Sequence, residues 1–183
     1  MLKKYFKKMK GGGVSPPRKP LREITLSFIG AFLGIYLISF INQFMKIETL
    51  DHIYLIGSFG ASAVLLYGAP QAEFSQPRNL VGGNIISAII GVAIFQYLPF
   101  DIAILGALAV SLSIVAMHLT RTLHPPGGAT ALIAIIGTEQ IHNLGFMYVI
   151  SPILLGAMIL LFVALFVNNL SRNQQRHYPR YWM

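Results

Sequence analysis

The chain has 183 residues, 55% of them hydrophobic and 11% charged, with a mean hydropathy of +0.64, which excludes an ordinary soluble domain and points to an integral membrane protein. Cysteine is absent, so disulfide frameworks, thiolate nucleophiles and zinc-thiolate sites are ruled out. The formal net charge is +8, and much of it is concentrated at the start: Lys3, Lys4, Lys7, Lys8, Lys10, Arg18, Lys19 and Arg22 all precede the first apolar run, a pattern that speaks for membrane orientation before nucleic-acid binding.

Residues 1–22 therefore read as a basic, disordered cytoplasmic tail, with Gly11-Gly12-Gly13 and Pro16-Pro17 inside it and anionic lipid as a partner. The run 24–45 holds 22 uncharged residues, longer than the roughly 7–15 of a signal-peptide core, and reads as a retained span. It carries Gly30-Ala31-Phe32-Leu33-Gly34, a GxxxG match for close helix contact within a subunit or in a homo-oligomer. The run 53–72 is weaker, interrupted by Gly57, Gly60, Gly68 and Pro70. Runs 80–100 and 102–120 satisfy the roughly 20 helical residues that a hydrocarbon core of about 30 Å requires. The run 124–138 has only 15 residues and opens on His124-Pro125-Pro126-Gly127-Gly128-Ala129-Thr130-Ala131, and 146–167 is the last long run before a short basic cytoplasmic tail, 171–183.

The expected fold is all-α: a polytopic membrane helix bundle of about six segments, two of them broken, in a single transmembrane domain over 23–170. Counting six crossings with both termini cytoplasmic sends Arg78, Arg121, Arg172, Arg176 and Arg180 to the cytoplasm, and Lys46, Glu48, Asp51, Asp101 and Glu139 outside. Folding the two weak runs back as re-entrant hairpins instead moves Arg78 and Arg121 outside. The charge sorting favours the crossings.

An internal repeat sharpens this picture. Gly60-Ala61-Ser62-Ala63-Val64-Leu65 matches Gly128-Ala129-Thr130-Ala131-Leu132-Ile133 at an offset of 68, and the same offset lays the run 80–100 under 146–167. Two units of three segments, about 23–100 and 101–170, form an inverted pair, and paired Gly- or Pro-interrupted segments are the sequence pointer to a transporter site. A helix over 125–138 reaches about 21 Å at 1.5 Å per residue, too short to cross alone, so part of that passage is extended. Proline suits a helix's first turn and glycine admits a ligand close to the backbone. The two half-helix starts are then expected to face each other near mid-membrane and present unpaired N–H groups to an anion, with Ser62 and Thr130 adding hydroxyl donors.

All six acidic residues sit at run edges, which sets aside a carboxylate relay or cation cage. The polar groups near the breaks are basic: His118, Arg121 and His124, spaced i, i+3, i+6, share one face if the helix persists, and Arg78 lies in Gln76-Pro77-Arg78-Asn79. His118 and His124 titrate near neutral pH unless perturbed, which admits proton coupling. The candidate substrate-binding set is thus Gly60, Ala61, Ser62, Arg78, His118, Arg121, His124, Gly127, Gly128, Ala129 and Thr130. No metal-ligand spacing, activated nucleophile or carboxylate pair is visible, so neither an enzyme nor a cofactor is expected.

The chain resembles the HPP family of integral membrane proteins. The resemblance rests on His124-Pro125-Pro126, Ser15-Pro16-Pro17-Arg18, Gly30 through Gly34, Ser58 through Leu65, Gln76 through Gly83 and Met117 through Leu132. Asn84 stands where histidine is common in that family. Members in plastid envelopes act as nitrite transporters, so the resemblance implies a transporter or channel for nitrite or a similar monovalent anion, here in a bacterial inner membrane. The competing expectation is a membrane sensor or assembly module that binds an anion or a partner without moving it.

Overall fold

A computed structural model describes residues 2–9, 13–44 and 57–183, and among them the chain is all-helical. Residues 45–56 lie outside it, and with them the expected outer-loop residues Lys46, Glu48 and Asp51 and the first part of the run 53–72. The helices, in chain order, are α1 Leu2–Lys8, α2 Leu21–Phe44, α3 Gly57–Ala63, α4 Pro77–Tyr97, α5 Ile102–Leu119, α6 Pro125–Ile136, α7 Glu139–Leu144 and α8 Leu155–Asn169. A π-helical turn, Val64–Gly68, prolongs α3, and another, Val149–Leu154, leads into α8.

Local chemistry sets these bounds. Pro77 opens α4, and Pro125 and Pro126 open α6, positions where a missing N–H costs nothing. Asp101 caps α5 by accepting from the N–H groups of Ala103 at 3.0 Å and Ile104 at 3.2 Å. Helix α5 stops where Arg121 takes a φ of 58°, a left-handed conformation that ends a helix. The last apolar run is not one straight helix: Ser151 leaves helical geometry (φ −134°, ψ 116°) before Pro152, and α8 proper begins at Leu155.

Among the described residues four helical stretches are long and apolar enough to cross a bilayer: Leu21–Ile41, Pro77–Tyr97, Ile102–Leu119 and Val149–Asn169. Helix α6 is a shorter apolar helix. Between helices in lipid the hydrophobic effect contributes little, so close van der Waals packing and hydrogen bonds carry association. Helix α4 packs on α5 and α6, α2 packs on α8, and α3 lies against α2, α6 and α8. At the α4–α6 seam a methyl added at Gly91 would stand 2.7 Å from the Ala131 carbonyl oxygen and 2.8 Å from Ala134 Cβ, so only glycine admits this approach. Gly30 and Gly34 serve the same purpose against Tyr67 and Leu160 of the same chain. That GxxxG motif, expected to act within or between subunits, packs within the subunit.

Side-chain bonds show which ends share a face. Lys19 Nζ donates to Gly68 O (2.7 Å), Arg78 Nη2 to Thr120 O (2.7 Å) and Asn168 Nδ2 to Leu66 O (3.0 Å). The start of α2, the end of the α3 turn, the start of α4, the end of α5 and the end of α8 therefore lie at one face, termed basal here. The His142 ring stacks on Phe95 at 3.8 Å, which places α7 beside the far end of α4. The segment 171–183, read from the sequence as a tail beyond the domain, folds back on the basal face. Tyr178 there is buried, donating its hydroxyl to Ser75 O (2.8 Å), and the Arg180 N–H donates to Gln76 Oε1 (2.8 Å).

Candidate functional site: a histidine bridge between two interrupted segments

His124 is the N-cap residue of α6, in extended backbone after α5 has ended. Its side chain is fully buried, which is costly for an imidazole unless both nitrogens are satisfied. They are: Nδ1 lies 2.8 Å from the Phe74 carbonyl oxygen, and Nε2 lies 2.8 Å from Ser62 Oγ. A carbonyl only accepts, so Nδ1 carries the proton; in the neutral ring Nε2 then accepts from the Ser62 hydroxyl. One imidazole thus ties α3, the loop before α4 and the start of α6 together.

Ser62 lies five residues past Gly57, the first described residue of α3, about 7.5 Å along a helix at 1.5 Å per residue. Helix α3 also packs against α6, so the two interrupted helices lie side by side. They do not meet tip to tip, as the sequence led one to expect, because the small residues of both segments allow lateral packing. The hydroxyls expected to donate to an anion are engaged by protein partners. Ser62 bonds His124, and Thr130 Oγ1 donates to Asn84 Oδ1 at 2.7 Å while the Thr130 carbonyl accepts from Tyr148 OH at 3.0 Å.

The other candidates divide. Gly127 is buried, and a methyl there would stand 2.7 Å from Ser87 Oγ and 3.0 Å from Gly83 O, so it serves the α4–α6 contact. Gly128 is open by comparison, its nearest neighbour for an added Cβ being Val110 Cγ1 at 3.7 Å, and Ala129 is half-buried next to it. Gly60 and Ala61 are exposed, with nothing within 4 Å of a Cβ at Gly60, and they are not gathered at the bridge.

His118, Arg121 and His124 do not share a helix face, because α5 ends at Leu119 and Arg121 turns the chain with positive φ. His124 is buried, whereas His118 and Arg121 are exposed. They come together in another way. His118 and Arg121 line a cavity of about 320 Å³ with Glu73, Phe74 and Asn79, and Phe74 is the residue whose carbonyl holds His124. Met117, His118 and Leu123 also border a second cavity, of about 310 Å³, that touches Pro125 and Gly128. The two hollows share Met117, His118 and Leu123 as walls, one bordering Arg121 and the other the first turn of α6, and together are termed here the basal vestibule. Arg78 stands outside it, half-exposed, with its guanidinium on the carbonyl end of α5, where a cation meets the negative end of the helix dipole.

Sequence reasoning missed the Phe74 carbonyl, Asn79, Asn84 and Tyr148. A signal existed for the asparagines: Asn79, Asn84 and Ser87 are polar residues on one apolar span, and all three are buried. In a membrane such groups need internal partners, which Asn79 finds by donating to Leu123 O (2.8 Å) and Asn84 by donating to Leu80 O (2.8 Å).

Four apolar spans among the described residues, with buried polar bonds holding the interrupted segments α3 and α6, define a polytopic helical membrane protein. The chain belongs to the HPP transmembrane family: the family described as "HPP, transmembrane region" matches residues 16–179. It is similar to two transmembrane proteins of Dictyostelium discoideum, 46% identical over 181 residues and 44% identical over 183. Each alignment covers 97% of this chain, but 57% of the first relative and 63% of the second, so the chain spans less than two thirds of their length. No solved structure matches the chain. Both relatives come from a eukaryote and lend no support to a bacterial inner membrane; the family and the four spans establish an integral membrane protein.

Proposed function

We propose that the chain forms the membrane part of a carrier or channel for a small monovalent inorganic anion, with its site where the basal vestibule meets His124 and the first turn of α6. The observation that carries this reading is that the hollow at Arg121 and the hollow at Pro125 and Gly128, at a helix N-terminus, share Met117, His118 and Leu123 as walls. At the mouth the Arg121 guanidinium and the His118 imidazole are available to an anion, beside the single carboxylate of Glu73. The α6 start carries the partial positive charge of a helix N-terminus, Pro125 and Pro126 having no N–H and the Gly127 N–H donating to His124 O (2.8 Å), and Gly128 leaves room for an anion to approach it. Nitrite as the particular anion rests on the family resemblance alone.

The same proposal includes six passages in two inverted units of three. In support, α2 packs on α8 as α5 packs on α4, and Ser62 and Thr130, 68 positions apart, each make a buried bond to another segment. The basal face gathers Lys19, Arg78, Arg121, Arg176 and Arg180, so the positive-inside rule makes it cytoplasmic. Uptake into proteoliposomes tests the function: the purified chain should move nitrite, nitrate or another small anion down an imposed gradient. Failure with all of them, in vesicles shown to contain folded protein, overturns the proposal in favour of an anion-binding or assembly module.

A further inference from the structure

A second polar cleft lies at the basal face and shares no lining residue with the vestibule. It has a volume of about 350 Å³ and is bordered by the start of α2, the loop 69–72 and the C-terminal segment, with Arg18, Lys19, Glu23, Gln71, Asn173 and Arg176 in its walls. Three cationic side chains thus meet a single carboxylate there.

That carboxylate is already engaged. Glu23 is buried, accepting from Ser171 Oγ (2.7 Å) and from Arg176 Nη1 (3.3 Å), so its charge is matched within the protein. Arg176 is 2% exposed and spends its terminal nitrogens on Glu23, Ser27 Oγ (3.2 Å) and Tyr67 O (3.0 Å). Its Nε–H is buried with no partner. A guanidinium donor left unpaired at that depth is costly, and Arg176 borders a cleft whose exposed rim is Arg18 and Lys19. The cleft also borders Pro20 and Glu23 at the start of the 24-residue helix α2, whose dipole places partial positive charge at that end.

We propose that this cleft binds a phosphate group. A tetrahedral oxyanion has enough acceptors to take the Arg176 Nε–H and the two rim cations at once. Its place at the end of a span, where headgroups lie, fits the phosphate of an anionic phospholipid; free inorganic phosphate offers the same chemistry. Binding would fasten the C-terminal segment to the start of α2, stabilising the basal face whatever the protein carries.

The full chain in neutral detergent is titrated with inorganic phosphate and, separately, with short-chain phosphatidylglycerol, and its melting temperature is read at constant ionic strength. The test variant is R18Q/K19Q, both exposed positions, checked first for an unchanged melting temperature in chloride. Either probe should raise the melting temperature of the wild type, with half-saturation about tenfold or more weaker in the variant. A response to the lipid alone identifies a headgroup site, and a response to both identifies a general phosphate site. No response to either probe, or the same half-saturation in the variant, overturns the proposal. Asn173→Asp, which adds a carboxylate to the cleft, should weaken binding as well, and serves if R18Q/K19Q alters folding.

Discussion

Replacing Ser62 by alanine removes one hydroxyl from a fully buried place. Ser62 and His124 are both fully buried and 2.8 Å apart, and the Phe74 carbonyl, also at 2.8 Å, fixes the ring so that Nε2 keeps its lone pair toward position 62. The lost bond itself is worth roughly 0.5–1.5 kcal/mol net, but a buried acceptor left unpaired costs about 1–3 kcal/mol, and the second figure governs here because His124 has nowhere to turn. Taking about 2 kcal/mol, and about 2–4 °C per kcal/mol for a chain of this size, Ser62→Ala should melt roughly 4–8 °C below wild type. Thermal unfolding of the detergent-solubilised chain reads the shift. Ser111→Ala is the control: that hydroxyl is exposed and bonds Ala107 O on its own helix, so it should change stability by no more than about 0.5 kcal/mol. If Ser62→Ala melts with wild type and with that control, His124 does not bridge the two interrupted segments.

Other consequences can be checked independently. Gly91→Ala should destabilise by about 1–3 kcal/mol, since its methyl meets the Ala131 backbone at 2.7 Å, and a melting temperature equal to wild type would contradict the seam described for α4 and α6. The chain has no cysteine, so single cysteines at 78, 121 and 172 report topology cleanly; an impermeant reagent should label all three from the same side of the membrane, and labelling of 78 and 121 from the side opposite 172 would favour re-entrant hairpins. Burial pushes the Tyr178 phenol up from its ordinary value. Because its folded pKa is the raised one, the contribution is intact below about pH 10 and lost as pH rises toward the folded value. Melting temperature should accordingly fall above about pH 10, and less steeply in Tyr178→Phe; equal slopes would refute a buried phenol.

Much of the architecture follows from features that act locally. Span positions are readable because apolar length alone decides them, and α6 begins at Pro125, where proline demands a first turn. The site is less legible because its bonds join residues far apart: Ser62 meets His124 across 62 positions, and Arg176 meets Glu23 across 153. The spacing of His118, Arg121 and His124 misled for a specific reason. It presumes a continuous helix, and nothing in the side chains announces that Arg121 takes positive φ. Glycines were ambiguous in the same way: Gly127 is closed by Ser87 and Gly83, whereas Gly128, next in sequence, is open.

That contrast supplies the most direct test of the central claim. A leucine at Gly128 has room to fold, since the nearest atom to its Cβ is Val110 Cγ1 at 3.7 Å, but it would fill the hollow of about 310 Å³ in front of the α6 start. Anion flux into proteoliposomes should be lost in Gly128→Leu while its melting temperature stays near wild type. Wild-type flux through the folded variant would contradict an anion site at the start of α6.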